Sequence, residues 1–175
     1  NSVSVINSST DTVISTISVG NLPELCFVAN NKVYVLGLGF PHTISVINTT
    51  TDTVSSTISA RNFPYYAAVA GNKMYVTNYN DSSVSVIDIT TDSILGTISV
   101  GVTPAGVSVL GNKVYVANQQ SRTVSVINTA TDTVTATVTV GTGGYYLNMV
   151  LGTNIYITDQ DSGRIYVFDT LTNTH

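Results

Sequence analysis

Apolar and polar residues alternate along this chain in short runs, and the runs are separated by Gly, Asn, Asp and Thr. A period of two is the mark of strands with one face buried. The alternating segments also return at a fixed step. Val3, Ile44, Val84, Val124 and Ile165 open successive copies of one segment, written Val-Ser-Val-Ile-Asn at its fullest, at steps of 41, 40, 40 and 41 residues. Spacing in that range marks a repeat architecture, with no room in each repeat for a long helix.

One repeat can be parsed strand by strand. Gly106 to Leu110 is a short apolar run, Gly111-Asn112 a tight turn, and Val114 to Ala117 a second strand. After the loop Asn118 to Arg122 comes a third strand, Thr123 to Ile127; Asn128 to Asp132 then turns the chain into a fourth, Thr133 to Val140. Gly-Asn suits a two-residue hairpin because both residues tolerate positive φ. Asn30-Asn31, Gly71-Asn72 and Gly152-Thr153 occupy the same place. Four hairpin-linked antiparallel strands per repeat predict an all-β fold, the blade of a β-propeller, in which neighbouring sheets cover each other around an axis. A solenoid of stacked strands is the rival, but its coils are shorter and need no hairpin at each reversal.

This parse divides residues 1–175 into a partial unit 1–20, units 21–60, 61–101 and 102–141, and an incomplete unit 142–175. About four blades are therefore expected, as part of a larger ring or assembly. Closing four blades would leave the strand Ile165 to Asp169 over, and a bare edge invites aggregation. The first strands (Cys26-Phe27-Val28, Ala67-Ala68-Val69, Val107-Ser108-Val109, Leu147-Asn148-Met149) are the shortest and most apolar, which predicts the innermost position. The chain opens at Asn1 inside a repeat, as a mature or excerpted segment would.

Composition narrows the field. Charged residues make up 9% of the chain, against about 25% in ordinary soluble domains. Hydroxyl and amide side chains supply the polarity, which suits an extracellular or cell-surface setting. Six Lys and Arg and a net charge of -4 argue against nucleic acid. No apolar run is long enough to span a membrane. Cys26, the single cysteine, sits in an apolar strand pattern and is expected to be a buried, inert thiol.

Tyr75-Val76-Thr77-Asn78 and Tyr115-Val116-Ala117-Asn118, with the divergent Tyr34-Val35-Leu36-Gly37 and Tyr156-Ile157-Thr158-Asp159, stand at the second strand of each repeat. Together with Thr-Asp-Thr-Val and the ending Val100-Gly101-Val102-Thr103-Pro104, they resemble the YVTN β-propeller family. That family occurs in surface-layer and other secreted or envelope proteins. The resemblance covers essentially the whole chain and implies seven blades in an intact ring, more than this length holds. Its motifs bear on fold far more than on function.

Loops from a fourth strand to the next first strand share a face with loops between strands two and three, and these vary most between copies. That variable face is the candidate binding surface. It carries Asn21, Leu22, Glu24, Arg61, Asn62, Phe63, Tyr65, Thr142 and Tyr145, with Phe40, His42, Tyr79, Gln119, Gln120 and Arg122 further out. Tyrosines there would stack on sugar rings or anchor a protein partner.

Catalytic and metal signals are thin. Asp159-Gln160-Asp161-Ser162-Gly163 resembles the start of a calcium loop but lacks the downstream acid, so a capped turn is expected at Asp159. Asp11, Asp52, Asp92 and Asp132 recur as turn formers, and Lys32, Lys73 and Lys113 each lie in a hairpin. His42 and His175 are too few for a histidine metal cluster. Neither a catalytic residue, a metal nor a cofactor is expected. Asn7, Asn48 and Asn80 match the N-glycosylation pattern, Asn7 and Asn48 at the same outer turn.

The function expected is a non-catalytic extracellular scaffold or adhesion module, its partners other cell-surface proteins or glycans, or further copies of itself. Two alternatives stay open. One is a propeller enzyme, lactonase-like or quinoprotein-like, whose inner strands would offer mainly Ser108 and Asn148; the other is a repeat subunit of a filament.

Overall fold

The computed structural model describes residues 1–140, 145–159 and 161–172, with the side chains of 145–149 set aside. Seventeen strands are found among the described residues, and no helix. β1 (Ser2–Asn7) and β2 (Thr12–Ser18) form a two-stranded sheet. β3 (Pro23–Ala29), β4 (Lys32–Gly37), β5 (Thr43–Asn48) and β6 (Thr53–Ser59) make the first four-stranded blade. β7 (Pro64–Ala70), β8 (Lys73–Asn78), β9 (Ser83–Asp88) and β10 (Ser93–Ser99) make the second. β11 (Pro104–Leu110), β12 (Lys113–Asn118), β13 (Thr123–Asn128) and β14 (Thr133–Thr139) make the third. β15 (Tyr145–Leu151), β16 (Asn154–Asp159) and β17 (Arg164–Asp169) form a three-stranded sheet. Every pairing is antiparallel between chain neighbours, and β1–β2 does not join the sheet of β15 to β17.

The turns explain themselves chemically. Gly71, Gly111 and Gly152 have φ near 60°, while the residue after each does not, so these hairpins have positive φ at the first central residue alone, the type II′ pattern. Only Asn30-Asn31 is positive at both positions, with φ of 49° and 56°. The outer turns between third and fourth strands are capped by side chains. Asn7, Asn48, Asp88, Asn128 and Asp169 each accept a hydrogen bond from the backbone N–H two residues on, an Asx turn. Asp11, Asp52, Asp92 and Asp132 follow in the left-handed region, with φ between 51° and 54°.

Each fourth strand of the paired sheets carries a bulge at the same place. Register shifts fall at Val5/Ile6, Val46/Ile47, Ile94/Gly96 and Val126/Ile127. Ser55 and Thr135, the extra residues in β6 and β14, donate their hydroxyls to the carbonyls of Val46 and Val126. A bulge bends and twists its strand.

The apolar core lies between sheets rather than within one. Tyr34, Leu36, Ile44 and Val46 of the first blade pack on Ala67, Met74, Val76 and Ile87 of the second. The second and third blades meet through Tyr75, Val84, Val86, Val107, Val114 and Val116. Tyr115, Val124 and Val126 then meet Ile155, Ile157 and Phe168. Strands β3, β7, β11 and β15 touch in succession, so the first strands line the hub as expected. They are not the shortest, however: they run seven residues against six in the second and third strands.

Two inter-blade seams are fastened on the outer-turn side. Tyr34 donates its hydroxyl to Asp92 (2.7 Å) and to the carbonyl of Ile89 (3.1 Å), and Lys32 Nζ lies 2.8 Å from both Asp92 carboxylate oxygens. One repeat on, Tyr75 reaches Asp132 at 2.6 Å and Lys73 Nζ reaches the same carboxylate at 2.6 Å. Asp92 and Asp132 are therefore more than turn formers: their left-handed turn aims the carboxylate back at the preceding blade. Burial and the neighbouring carboxylate both push the Tyr34 and Tyr75 hydroxyls well above the ordinary tyrosine range. The structure describes no side-chain partner for Asp52, at the same turn of the first blade.

Cys26 corrects an expectation. It is exposed, not buried. The equivalent position in the second blade, Ala67, is 3% exposed beneath the inner strand of its neighbour. The two-stranded sheet β1–β2 covers Val35 and Ile47 of the first blade. Partial desolvation still raises the thiol pKa, which keeps the reactive thiolate scarce.

Candidate functional site: an aromatic loop face

The loop face is built by a repeated backbone device. Leu22, Phe63 and Thr103, each just before the Pro that opens β3, β7 or β11, adopt φ of 48°, 63° and 60°. Their carbonyls accept hydrogen bonds from Leu38, Tyr79 and Gln119, the first residues of the β4–β5, β8–β9 and β12–β13 loops. Two loops per blade are thereby tied together. A bulky residue in the left-handed region is uncommon and costs about 1–3 kcal/mol. Phe63 is held there by the Tyr79 N–H to Phe63 O bond of 2.9 Å.

The result is a row of aromatic side chains across adjoining loops. Phe40 and His42 of the β4–β5 loop meet edge to face at 6.2 Å, and His42 meets Phe63 of the β6–β7 loop in the same way at 6.3 Å. Phe63 lies nearly parallel to Tyr65 at 6.2 Å, and both contact Tyr79 of the β8–β9 loop, at 5.8 Å and 5.0 Å. Edge-to-face and offset pairs are the favoured arrangements of such rings. Phe40 is 86% exposed, and His42, Phe63, Tyr65 and Tyr79 are half-buried. The Phe40-Pro41 peptide is cis.

At its far end the row runs into a polar cleft. The Tyr79 hydroxyl donates to Gln119 Oε1 (2.7 Å), and Thr103 donates to Gln120 Oε1 (3.2 Å). Arg122 and Asp161 complete the walls of a cleft of about 360 Å³. Arg61, which stands where other repeats have Gly20 and Gly101, forms an ion pair with Asp81 beside the row. At Gly101 a Cβ would stand 2.7 Å from the side chain of Asn118, so that seam has no room for the exchange.

Phe40, His42, Phe63, Tyr65 and Tyr79 are thus brought into one cluster, and Arg122 lies in the adjoining cleft. Glu24 is exposed on β3 and joins neither. Thr142 and the side chain of Tyr145 lie outside the described residues. Asp159 is a turn cap: its carboxylate accepts from the N–H groups of Asp161 and Ser162 and from the Ser162 hydroxyl. Ser108 Oγ is buried with no hydrogen-bond partner among the described residues, and the side chain of Asn148 is outside them. Asn7 and Asn48 sit at outer turns, and Asn80 is exposed on the loop face next to Tyr79. Residue-by-residue reading missed the join between row and cleft. Its signal was the left-handed residue before each strand-opening Pro, which is invisible until the backbone is folded.

No protein-family model matches this chain, and no curated protein matches it either. Solved structures do. Hydrazine synthase of Kuenenia stuttgartiensis superposes with a TM-score of 0.64 at 21% identity, over 79% of this chain and 46% of that one. The computationally designed Ika4 protein gives 0.73 at 15% identity, over 87% of this chain and 96% of that one. The WD40 β-propeller domain of Doa1 gives 0.74 at 15% identity, over 95% and 56%. The chain thus spans about half the length of the hydrazine synthase and Doa1 chains. At these identities the likeness concerns fold alone: the chain is a run of β-propeller blades.

Proposed function

We propose that this chain is a non-catalytic, extracellular, surface-layer-like propeller of the YVTN kind, and that its loop face is an adhesion surface. The observation that carries this reading is the aromatic row from Phe40 to Tyr79, which spans the loops of two blades and ends at an 86% exposed Phe40. Exposed aromatic clusters on rigid scaffolds are typical of binding surfaces. The low charge, the motif resemblance and the sequons at Asn7, Asn48 and Asn80 support a cell-surface setting.

Binding of the purified chain to intact cells and isolated envelopes of its source organism tests the reading. Wild-type chain is expected to bind both, and the double variant Phe63→Ala, Tyr79→Ala to lose binding while its circular dichroism is unchanged. Equal binding by the double variant, or an antibody signal that appears only after cell lysis, would overturn it.

A further inference from the structure

We infer that the aromatic row and the adjoining polar cleft form one carbohydrate site, in which an oligosaccharide lies along Phe40, His42, Phe63 and Tyr79 and ends among Gln119, Gln120, Arg122 and Asp161. This rests on the binding reading above and names its ligand class. Tyr79 joins the two parts. Its ring packs on Phe63 at 5.8 Å and on Tyr65 at 5.0 Å, while its hydroxyl bonds Gln119 at 2.7 Å on the cleft side.

The chemistry on each side of Tyr79 matches the two characters of a sugar. Ring faces carry negative charge density, so an exposed ring such as Phe40 attracts the weakly positive C–H face of a pyranose and covers it without needing an ion. Side-chain amides both donate and accept hydrogen bonds, as sugar hydroxyls do, and the cleft offers two of them. Arg122 adds a forked donor, so vicinal hydroxyls would find a complementary group.

Charge argues against an ionic ligand. Arg61 is neutralised by Asp81, and the cleft itself holds one cationic and one anionic side chain, so neither the row nor the cleft carries an excess of positive charge to steer a polyanion. A protein partner would draw on a broad apolar patch with a polar rim. Here the apolar part is small, Phe40 and His42 leading into a triangle of Phe63, Tyr65 and Tyr79, and its polar partner sits at one end rather than around it. A row with a polar terminus fits a linear chain better than a surface.

The test uses a panel of neutral and acidic oligosaccharides, read by tyrosine fluorescence and calorimetry, since the chain has no Trp. At least one linear oligosaccharide is expected to bind, more weakly by about tenfold or more in Tyr79→Ala and several-fold in Gln119→Ala. Tyr79→Phe keeps the ring and loses the hydroxyl, and should retain most of the affinity while loosening selectivity. In parallel, binding to source envelopes is measured after periodate oxidation of sugars or after protease digestion. Loss with periodate but not with protease supports a sugar ligand. Loss with protease alone, with no oligosaccharide bound, overturns the sugar assignment and leaves the binding face standing. No binding to envelopes or to any oligosaccharide overturns both.

Discussion

The outer-turn side of the blades and the loop side are made of the same repeats, yet they behave as opposites. On the turn side, Lys32 and Tyr34 grip Asp92 as Lys73 and Tyr75 grip Asp132, with nearly the same distances. On the loop side the equivalent positions diverge: Leu22, Phe63 and Thr103 share a backbone conformation and nothing in side-chain chemistry. The seam must satisfy buried groups on two blades at once, so a change on one strand strands a partner on the next. The loop residues share only a backbone hydrogen bond, which any side chain can make. Repetition is therefore held where blades touch, and individuality is free where they face outward.

The comparison breaks most severely at the seam's buried ring. Tyr75 is fully buried, and Tyr75→Ala should cost about 3–5 kcal/mol in denaturant unfolding. A cost below about 1 kcal/mol would mean that the blades do not depend on each other.

Next comes the carboxylate. Asp92→Ala leaves the Lys32 ammonium and the Tyr34 hydroxyl short of an acceptor and should cost about 1–3 kcal/mol. Asp52→Ala removes the same turn residue where no side-chain partner is described, and should cost less than half as much. Equal losses would assign the effect to turn geometry alone.

Smaller still is the hydroxyl. Tyr34 and Tyr75 have folded-state pKa values raised above the ordinary 10.0, so their share of stability is fully present below pH 10 and is lost as pH climbs past it. Tyr75→Phe should lower stability by about 1 kcal/mol near neutrality. The gap to wild type should shrink above pH 10 in a thermal-melt series; a gap constant with pH would refute the seam assignment of that hydroxyl.

The smallest stability change belongs to the loop side. Phe40→Ala, at an 86% exposed ring, should move unfolding by no more than about 0.5 kcal/mol while weakening ligand binding. Seam variants that keep binding and loop variants that keep stability would sharpen the contrast between the two sides.

Much of the blade could be read from the chain. Alternation in Thr123–Asn128 and its copies identifies strands, and Gly111-Asn112 identifies a hairpin, because both signals act over a few neighbouring residues. The variable loop face was legible for the same reason, since its place follows from strand order.

What only the folded chain decided lies between residues far apart in sequence. Asp92 is a turn residue by its neighbours and a seam acceptor only because Lys32 and Tyr34, some sixty positions earlier, are brought against it. Cys26 and Ala67 occupy one repeat position and read alike, yet one is exposed and the other buried. The aromatic row needed three loops brought together, the β6–β7 and β8–β9 loops through left-handed Phe63 and the β4–β5 loop through the Ala60 N–H to His42 O bond. Local alternation and turn chemistry determine a blade; burial, pairing and the joining of distant side chains arise only when blades stack, because those terms belong to the contact and to neither sheet alone.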